Sequence, residues 1–409
     1  MTVSLGKPDW LSAPASRAVL DALEAAGGPD CARFVGGCVR NALLGQPISD
    51  IDVATTLTPQ AVIRALEAAR VRAMPTAVDH GTVTAVFRHK PVEVTTLRRD
   101  VETDGRRAVV AFTTDWSEDA QRRDFTLNAL YARRDGRIED PTGRGVEDAL
   151  AGRIVFVGDA ALRLREDHLR ALRFFRFLAW YGRGEPDAEA VAAIAALKDG
   201  VATLAAERVS AELLKLLAAA DPAPAVRLMR RTGVFAIVLP NGADQARFEA
   251  LVGVEGKLVE TDGLLRLAAF LPDDPAEGAW AAERLRLSNA DRDRLAAALA
   301  PAAELRPGLS GHDLRVALYR RGAQPVRDRL KLNWAAVGGA AEGWLSLITA
   351  VDGWTAPAMP VNGADALAAG AAKGPRIGEA LRAVEDWWIA GDFQAERAEA
   401  LARLRELLA

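Results

Sequence analysis

The chain has 409 residues, enough for roughly two to four domains, and its hydrophobic (50%) and charged (26%) fractions are ordinary for a globular protein. Its net charge of −3 argues against a protein that coats nucleic acid electrostatically, although a local basic groove is compatible with it. Cys31 and Cys38 are too few for a disulfide framework, no stretch qualifies as a transmembrane helix, and the first residues lack a signal-peptide pattern, so we expect a cytoplasmic protein.

The first 155 residues have the pattern of a mixed α/β domain. Short β-rich runs at 82–87, 91–97 and 152–157 alternate with helical patterns such as Pro59–Ala69. The polar stretch 98–120 is weakly patterned, and we expect it to include a mobile loop.

After about residue 158 the pattern becomes helical. Apolar residues recur at helical spacing among many alanines over segments such as 160–181 and 206–220. Glycine and proline separate these segments, as in 182–187 and 239–244. We therefore expect an α+β fold in which a mixed α/β head precedes an all-helical remainder.

The segment 34–54, FVGGCVRNALLGQPISDIDVA, predicts a strand, a glycine turn and a short helix that ends near Gly45. Gly36 and Gly37 would let backbone amides approach a phosphate at the strand-to-helix turn. Arg40 lies one helical turn further on and is expected to reach the same anion. A Gly-Gly pair alone is more often a plain turn.

Two aspartates follow this helix inside an apolar run. In a strand Asp50 and Asp52 would share one face, while Ile51 and Val53 would pack on a core. Like charges so close repel each other, and a divalent cation between them makes the arrangement favourable. Solvated aspartates flanking a turn are the alternative for this pattern alone. Glu93, on a predicted neighbouring strand, is a candidate third carboxylate, and an ordinary solvent-facing glutamate is the alternative.

Two arginine-rich segments supply further candidates for nucleotide contacts. In 122–130, RRDFTLNAL, apolar residues can pack while Arg123, Asp124 and Asn128 stay available for polar contacts. In 165–182, REDHLRALRFFRFLAWYG, charged residues recur every three positions and are predicted to lie along one stripe of a helix. A surface ion-pair cluster and a solvated helix face are the respective alternatives. The charged residues of the second segment are Asp167, Arg170, Arg173 and Arg176.

Together these segments resemble the signature of the polymerase-β nucleotidyltransferase superfamily. In detail they are similar to class II tRNA nucleotidyltransferases (CCA-adding enzymes) and the related bacterial poly(A) polymerases. The resemblance implies two Mg²⁺ ions held by Asp50 and Asp52, and a triphosphate turn formed by Gly36–Gly37 and Arg40. The family usually has Asp where Asn41 stands, a difference that we expect to leave the metal chemistry unchanged.

The resemblance also assigns the two arginine-rich segments. Arg123 and Asp124, with Asn128, would contact the nucleotide and favour ribonucleotides. Asp167 and Arg170 would form a protein template that accepts cytosine and adenine, both of which present an amino donor beside a ring-nitrogen acceptor. Arg173 and Arg176 would extend this nucleotide-binding stripe.

Further segments have structural roles in this interpretation. Asp140–Gly145 is expected to be a structural turn and a hinge, and Glu207 and Arg208 are expected to brace the template helix. We expect a catalytic head over 1–155, a helical neck with the base-selecting helix over 156–235, and a helical body and tail that binds tRNA over 236–409.

The implied function is the addition of CCA to tRNA 3′ ends from CTP and ATP, with release of pyrophosphate. The expected partners are the tRNA 3′ end and the two nucleotides, with no membrane and no obligate protein partner. A poly(A) polymerase, or an enzyme that adds only CC or only A, shares nearly every motif and remains the alternative. An inactive RNA-binding protein on the same scaffold is the alternative from a different class, and the intact carboxylate pair argues against it.

Overall fold

The computed structural model describes residues 3–104, 107–256 and 258–408, with the backbone alone at 100–104 and 107–110. The chain divides into two compact units, Met1–Pro240 and Asn241–Ala409. A mixed α/β region opens the first unit and helices form the rest, so the predicted fold class is confirmed. The predicted division at 155 and 235 stays a prediction.

Nine strands form two sheets in the described part of the first unit. A seven-stranded sheet has the order β3-β4-β5-β2-β1-β8-β9, and β6 pairs with β7 in a separate antiparallel hairpin. Within the large sheet β2 and β5 are parallel, whereas the other neighbours are antiparallel. The strands are β1 (Ala32–Val35), β2 (Asp52–Thr55), β3 (Arg72–Ala77), β4 (Thr82–Phe87), β5 (Lys90–Thr96), β6 (Arg98–Asp104), β7 (Arg107–Phe112), β8 (Tyr131–Ala132) and β9 (Ile138–Glu139).

The helices of the first unit pack on this sheet and continue beyond it. Short 3₁₀ turns lie at Val78–His80, Thr126–Asn128 and Lys198–Thr203. The helices are α1 (Asp9–Ser12), α2 (Pro14–Gly27), α3 (Gly37–Leu43), α4 (Pro59–Ala68), α5 (Trp116–Gln121), α6 (Gly145–Ala151), α7 (Ala160–Glu166), α8 (Leu169–Tyr181), α9 (Ala188–Leu197), α10 (Ala206–Leu217), α11 (Ala223–Arg231) and α12 (Val234–Val238).

Alternation along β2 separates a core face from a site face. Helices α2 and α4 contact β4 and β5 with buried residues that include Leu23 and Leu66. Side chains of β2 alternate, so Val53 and Asp52 point to opposite faces. On the face of Asp52, Ala54 joins a buried cluster with Tyr131. The sheet therefore carries Asp52 just outside a well-packed core.

Four phenylalanines attach α8 to the sheet region. The ring of Phe125 lies 4.9 Å from Phe156 and 5.2 Å from Phe177, and Phe156 stacks on Phe174 at 6.0 Å between centroids. The predicted strand at 152–157 is wrong, because Phe156 makes only an isolated bridge to Phe125. The apolar run is buried by these aromatic contacts instead of by strand pairing.

The stretch 98–120 was predicted to include a mobile loop, and its described residues are largely regular. They form the hairpin β6–β7 and helix α5, so the weak pattern concealed a hairpin that is separate from the large sheet. Residues 105 and 106 within this stretch lie outside the described residues.

In the described residues of the second unit the regular elements are helices, apart from an isolated bridge between Glu255 and Val259. Its core includes Trp334 and Trp344, whose rings are stacked 6.2 Å apart. None of the helices in the described part of the chain combines the length and apolar character that a membrane-spanning segment needs. The helices are α13 (Gln245–Val254), α14 (Gly263–Ala268), α15 (Pro275–Arg284), α16 (Asn289–Leu299), α17 (Gly311–Arg321), α18 (Ala323–Val337), α19 (Ala341–Asp352), α20 (Gly363–Ala368), α21 (Pro375–Ala390) and α22 (Arg397–Leu408).

The segment that follows β9 is built as a rigid turn. Asp140 accepts hydrogen bonds from the amides of Gly143 (3.2 Å) and Val146 (3.1 Å). Asp148, fully buried, accepts from the Thr126 hydroxyl at 2.7 Å and from Arg153 Nε at 2.8 Å. These contacts agree with a structural role for the turn.

We predict that Asp148→Ala lowers the free energy of unfolding by about 2 kcal/mol, because it leaves the Thr126 hydroxyl, Arg153 and Arg144 (Nε at 2.9 Å) without their acceptor. Urea denaturation measures the loss. Asp135→Ala is the matched control, since Asp135 is 54% exposed and pairs with a half-exposed Arg137. Equal losses in the two variants would contradict a structural role for Asp148, which anchors the helix that follows the turn.

Candidate active site

Strand register brings the predicted carboxylates to one place. Asp52 lies opposite Glu93 in the parallel pairing of β2 with β5, and the Glu93 amide donates to the Ile51 carbonyl at 3.1 Å. Glu93 is exposed between the buried Val92 and Val94, as the alternation predicted. Asp50 was expected inside the strand, yet β2 begins at Asp52. Asp50 therefore lies in the exposed segment just before it.

The electrostatics of this edge favour a cation. Burial raises the pKa of Asp52 to about 6, with further repulsion from the Glu93 and Asp50 carboxylates and an opposing effect from Arg123. Mg²⁺ prefers oxygen ligands, commonly one or two protein carboxylates completed by water and substrate phosphates. Within residues 3–104, 107–256 and 258–408, no group of three or more potential metal-binding side chains is assembled. The donor set fits an open metal site at Asp50 and Asp52, and Glu93 does not complete a three-residue group.

The glycine turn faces this edge through Arg123. Gly36 has φ +70°, a conformation that side-chain-bearing residues rarely adopt. A Cβ placed at Gly36 would lie 3.6 Å from Arg123 Nη1, so guanidinium and turn are adjacent. Gly37 then begins α3, as the sequence predicted. Arg123, whose charge partly offsets the rise in the pKa of Asp52, therefore also borders the turn.

Arg123 is held by residues that the sequence reasoning did not select. Its Nη2 donates to Asp119 at 2.9 Å and its Nε to the Tyr131 hydroxyl at 3.2 Å. Asp119 is 1% exposed and also pairs with Arg122 at 2.7 Å. The spacing of Asp119 from Arg122 and Arg123, three and four residues along a short helix, was the available signal.

Arg40 is buried and engaged with protein partners. Its guanidinium donates to Asn128 Oδ1 at 2.5 Å, to Asn41 Oδ1 at 2.8 Å and to the Tyr181 hydroxyl at 2.8 Å. The Arg40 guanidinium carbon also lies 4.2 Å from the centroid of the Tyr181 ring. Arg40 thus links α3 to the end of α8, and its contact with a triphosphate stays a prediction.

The arginine stripe of α8 is paired with two carboxylates. Arg173 Nε donates to Asp124 Oδ2 at 2.7 Å, and Arg176 Nε lies 2.6 Å from Glu212 Oε2. Asp124 also accepts from Asn128 at 3.0 Å. Glu212, 7% exposed on α10, was not selected from the sequence, although its helix was recognised. Because each arginine is paired with a carboxylate, the four charges can lie together in a largely buried layer.

Asp167 and Arg170, the predicted base-reading pair, are each held by a different partner. Asp167 precedes α8, so the expected continuous helix over 160–181 is wrong: the backbone is extended at Asp167, where its side chain caps the Leu169 amide at 3.0 Å. Arg208 Nη2 donates to Asp167 at 2.7 Å, in agreement with the expected bracing role. Arg170 pairs with Glu166 at 2.5 Å. The two side chains are therefore oriented independently of each other.

We predict that Asp119→Asn destabilises the protein by about 2 kcal/mol near neutral pH. Although burial opposes ionisation, Arg123 and Arg122 lower the pKa of Asp119 to about 2. Because the folded-state pKa lies below the unfolded value of about 3.9, this stabilisation is present above about pH 4 and is lost as the pH falls toward 2. Urea denaturation from about pH 7 to about pH 3 measures the difference, which should shrink in acid.

Asp115→Asn is the control for this prediction. Asp115 caps the same helix through the Ser117 amide at 2.7 Å, and asparagine caps helices equally well. A pH-independent loss in Asp119→Asn, or an equal loss in both variants, would contradict the charge-pairing role of Asp119.

Two family descriptions match the chain. The family described as Poly A polymerase head domain matches residues 32–155, which contain the carboxylate edge and the glycine turn. The family described as probable RNA and SrmB-binding site of polymerase A matches residues 185–245.

Full-length relatives agree with these matches. The chain is 32% identical to CCA tRNA nucleotidyltransferase 1, mitochondrial, of Danio rerio, over 91% of this chain and 87% of that protein. It is 30% identical to the CCA-adding enzyme of Geobacillus stearothermophilus, over 92% and 93%. The structure of the Bacillus stearothermophilus CCA-adding enzyme in complex with CTP matches with a TM-score of 0.78 at 28% identity, over 96% of this chain and 97% of that one. This chain belongs to the CCA tRNA nucleotidyltransferase family.

Proposed function

We propose that the chain adds C, C and A to tRNA 3′ ends from CTP and ATP and releases pyrophosphate. The observation that carries the proposal is the carboxylate edge of Asp50 and Asp52 beside Arg123 and the Gly36 turn. It lies in a chain that is similar over nine-tenths of its length to enzymes named for CCA addition. Solved relatives complexed with CTP, with ATP and with tRNA support the same substrates.

In the proposed reaction the tRNA 3′ oxygen attacks the α-phosphorus of the nucleotide and pyrophosphate leaves. Mg²⁺ held by Asp50 and Asp52 would supply positive charge at the reacting oxygens. The Glu93 carboxylate adds negative charge opposite Asp52, which strengthens the preference of this edge for cations. Gly36 leaves space beside Arg123, whose guanidinium would bind a phosphate oxygen of the nucleotide.

The sugar contact is proposed for Asp124. Its Oδ2 is occupied by Arg173 and its Oδ1 accepts from Asn128, so the carboxylate is fixed in place and ionised. Burial alone would raise the pKa of Asp124, but the charge of Arg173 and the hydrogen bond from Asn128 lower it below its usual value. A fixed carboxylate can accept a hydrogen bond from a ribose hydroxyl, which favours ribonucleotides.

Base choice is proposed for Asp167 and Arg170. Asp167 would accept from the exocyclic amino group of cytosine or adenine, and Arg170 would donate to the neighbouring ring nitrogen. Guanine and uracil present the opposite order of donor and acceptor and would be rejected. The pairing of Asp167 with Arg208, and of Arg170 with Glu166, supports the proposal because each group is held in one orientation.

The remaining assignments complete the proposal. A head over 1–155, a neck over 156–235 and a tRNA-binding body and tail over 236–409 are proposed as the functional parts. A reducing compartment such as the cytoplasm fits Cys31 and Cys38, which are both buried and free.

The direct test supplies a tRNA transcript that ends at the discriminator base, with Mg²⁺ and CTP alone, ATP alone, or both. We expect two additions with CTP and a third only when ATP is also present. Asp50→Ala and Asp52→Ala should abolish both steps, because each removes a carboxylate of the edge. Gel electrophoresis at single-nucleotide resolution measures the product length.

Other patterns of product length would contradict the proposal. A long ladder with ATP alone would identify a poly(A) polymerase, and additions that stop after CC or require a preformed CC end would identify a partial activity. Absence of product in wild type as well as in the aspartate variants would favour an inactive RNA-binding protein.

We predict that Arg208→Gln raises the incorporation of UTP relative to CTP about fivefold. The substitution removes one partly exposed charge-assisted contact, worth about 1 kcal/mol, that orients Asp167. Single-nucleotide incorporation with each triphosphate measures the ratio of kcat/KM values. Arg64→Gln, which removes an exposed arginine from α4, is the control and should leave the ratio unchanged. An unchanged ratio in Arg208→Gln would contradict the orienting role.

A further inference from the structure

A cleft of about 320 Å³ lies beside the proposed catalytic edge, and of the residues that line it only Arg176 belongs to the predicted nucleotide-binding stripe. One wall is the segment 46–49, which leads into Asp50, and the other is the C-terminal part of α8 with the end of α10. Its volume is within the range of small-ligand pockets. The cleft lies entirely within the first unit.

An exposed tryptophan forms a rigid wall of this cleft. Trp180 is 50% exposed, although large aromatic side chains are usually more buried. Its indole Nε1 donates to the Lys215 carbonyl at 2.7 Å, which fixes the ring against α10. A fixed and exposed aromatic face is the kind of surface on which a nucleobase stacks.

The charges around Trp180 favour an anion. Lys215 is exposed and lines the cleft, and no carboxylate of the described residues forms an ion pair with its ammonium group. Arg176 also lines the cleft and is paired with Glu212 at 2.6 Å. The charged residues that line the cleft are thus two cations, and the pairing of Arg176 with Glu212 leaves the charge of Lys215 to attract an anion. The chemistry of the cleft combines a stacking surface with a site for phosphate.

The position of the cleft separates it from the proposed site of the incoming base. Trp180 lies ten residues beyond Arg170 on the same helix, about 15 Å along the helix axis. On its other wall the cleft reaches Ser49, whose hydroxyl donates to Asp50 at 2.8 Å. An occupant would therefore lie next to the proposed metal ligands but away from Asp167 and Arg170.

We propose that this cleft binds a nucleotide of the single-stranded 3′ end of the RNA substrate. Its base stacks on Trp180, and its phosphate is bound by Lys215 and Arg176. The inference rests on the proposed function, because that function requires an RNA 3′ oxygen to approach the carboxylate edge. It adds a binding site for the acceptor RNA to the site for the triphosphate.

The test measures KM for tRNA and KM for CTP separately in wild type, Trp180→Ala, Trp180→Phe and Lys215→Gln. We expect Trp180→Ala to raise the KM for tRNA about tenfold, within the range for loss of one aromatic–base stack, and to leave the KM for CTP unchanged. Trp180→Phe should retain most of the affinity because it keeps an aromatic face. Lys215→Gln should raise the KM for tRNA severalfold and reduce its dependence on salt.

Two controls match these variants within the first unit. Met74→Ala removes an exposed apolar side chain (38% exposed) from the edge strand β3, and Lys90→Gln removes an exposed lysine from the β4–β5 hairpin. Both should leave the two KM values unchanged. Equilibrium binding of tRNA without nucleotides, with circular dichroism to confirm folding, provides a second readout.

The outcomes separate the inference from the proposed function. If wild type adds no nucleotides to tRNA, the proposed function fails. If wild type is active but Trp180→Ala raises the KM for CTP alone, the cleft serves the incoming nucleotide and the inference is wrong. Wild-type values of both constants in Trp180→Ala and Lys215→Gln would equally overturn it.

Discussion

The parallel pairing of β2 with β5 places Asp52 opposite Glu93, and the repulsion between these carboxylates is the constraint on which the site depends. Burial and repulsion raise the pKa of Asp52 to about 6, so the edge is costly unless positive charge lies nearby. Arg123 provides part of that charge from the protein. Divalent cations would supply the rest of the positive charge, in agreement with the proposed role of the site in phosphoryl transfer.

Paired charges connect this edge to the helices that follow it. Asp119 holds Arg123, Asp124 holds Arg173, and Glu212 lies against Arg176. The first pair is local to the end of α5, whereas the other two join α8 to other elements. Because Asp124 directly follows Arg123, the orientation of α8 is coupled to the segment that carries Arg123. Buried ion pairs contribute little net stability but strongly disfavour arrangements that leave one partner unpaired. The network therefore specifies where α8 lies, and with it the proposed positions of Asp167 and the Trp180 cleft.

Local patterns predicted the features whose cause is local. The glycine turn, the face of Glu93 and the mixed α/β head followed from spacing and alternation over a few residues. The strand predicted at 152–157 was wrong because an apolar run buried by aromatic rings has the same composition as a strand. Glu212 and Tyr181 could not be found because their partners lie far away in the sequence, and only the packed helices bring them together.

The central claim is that the edge formed by Asp50 and Asp52 binds divalent cations together with a nucleotide. Electron paramagnetic resonance of Mn²⁺, with a non-hydrolysable CTP analogue present, tests it most directly in wild type, Asp52→Asn and the exposed-carboxylate control Glu67→Gln. The account predicts that Asp52→Asn weakens Mn²⁺ binding by more than about tenfold while Glu67→Gln binds as wild type does. Equal Mn²⁺ affinity in all three proteins would contradict the account.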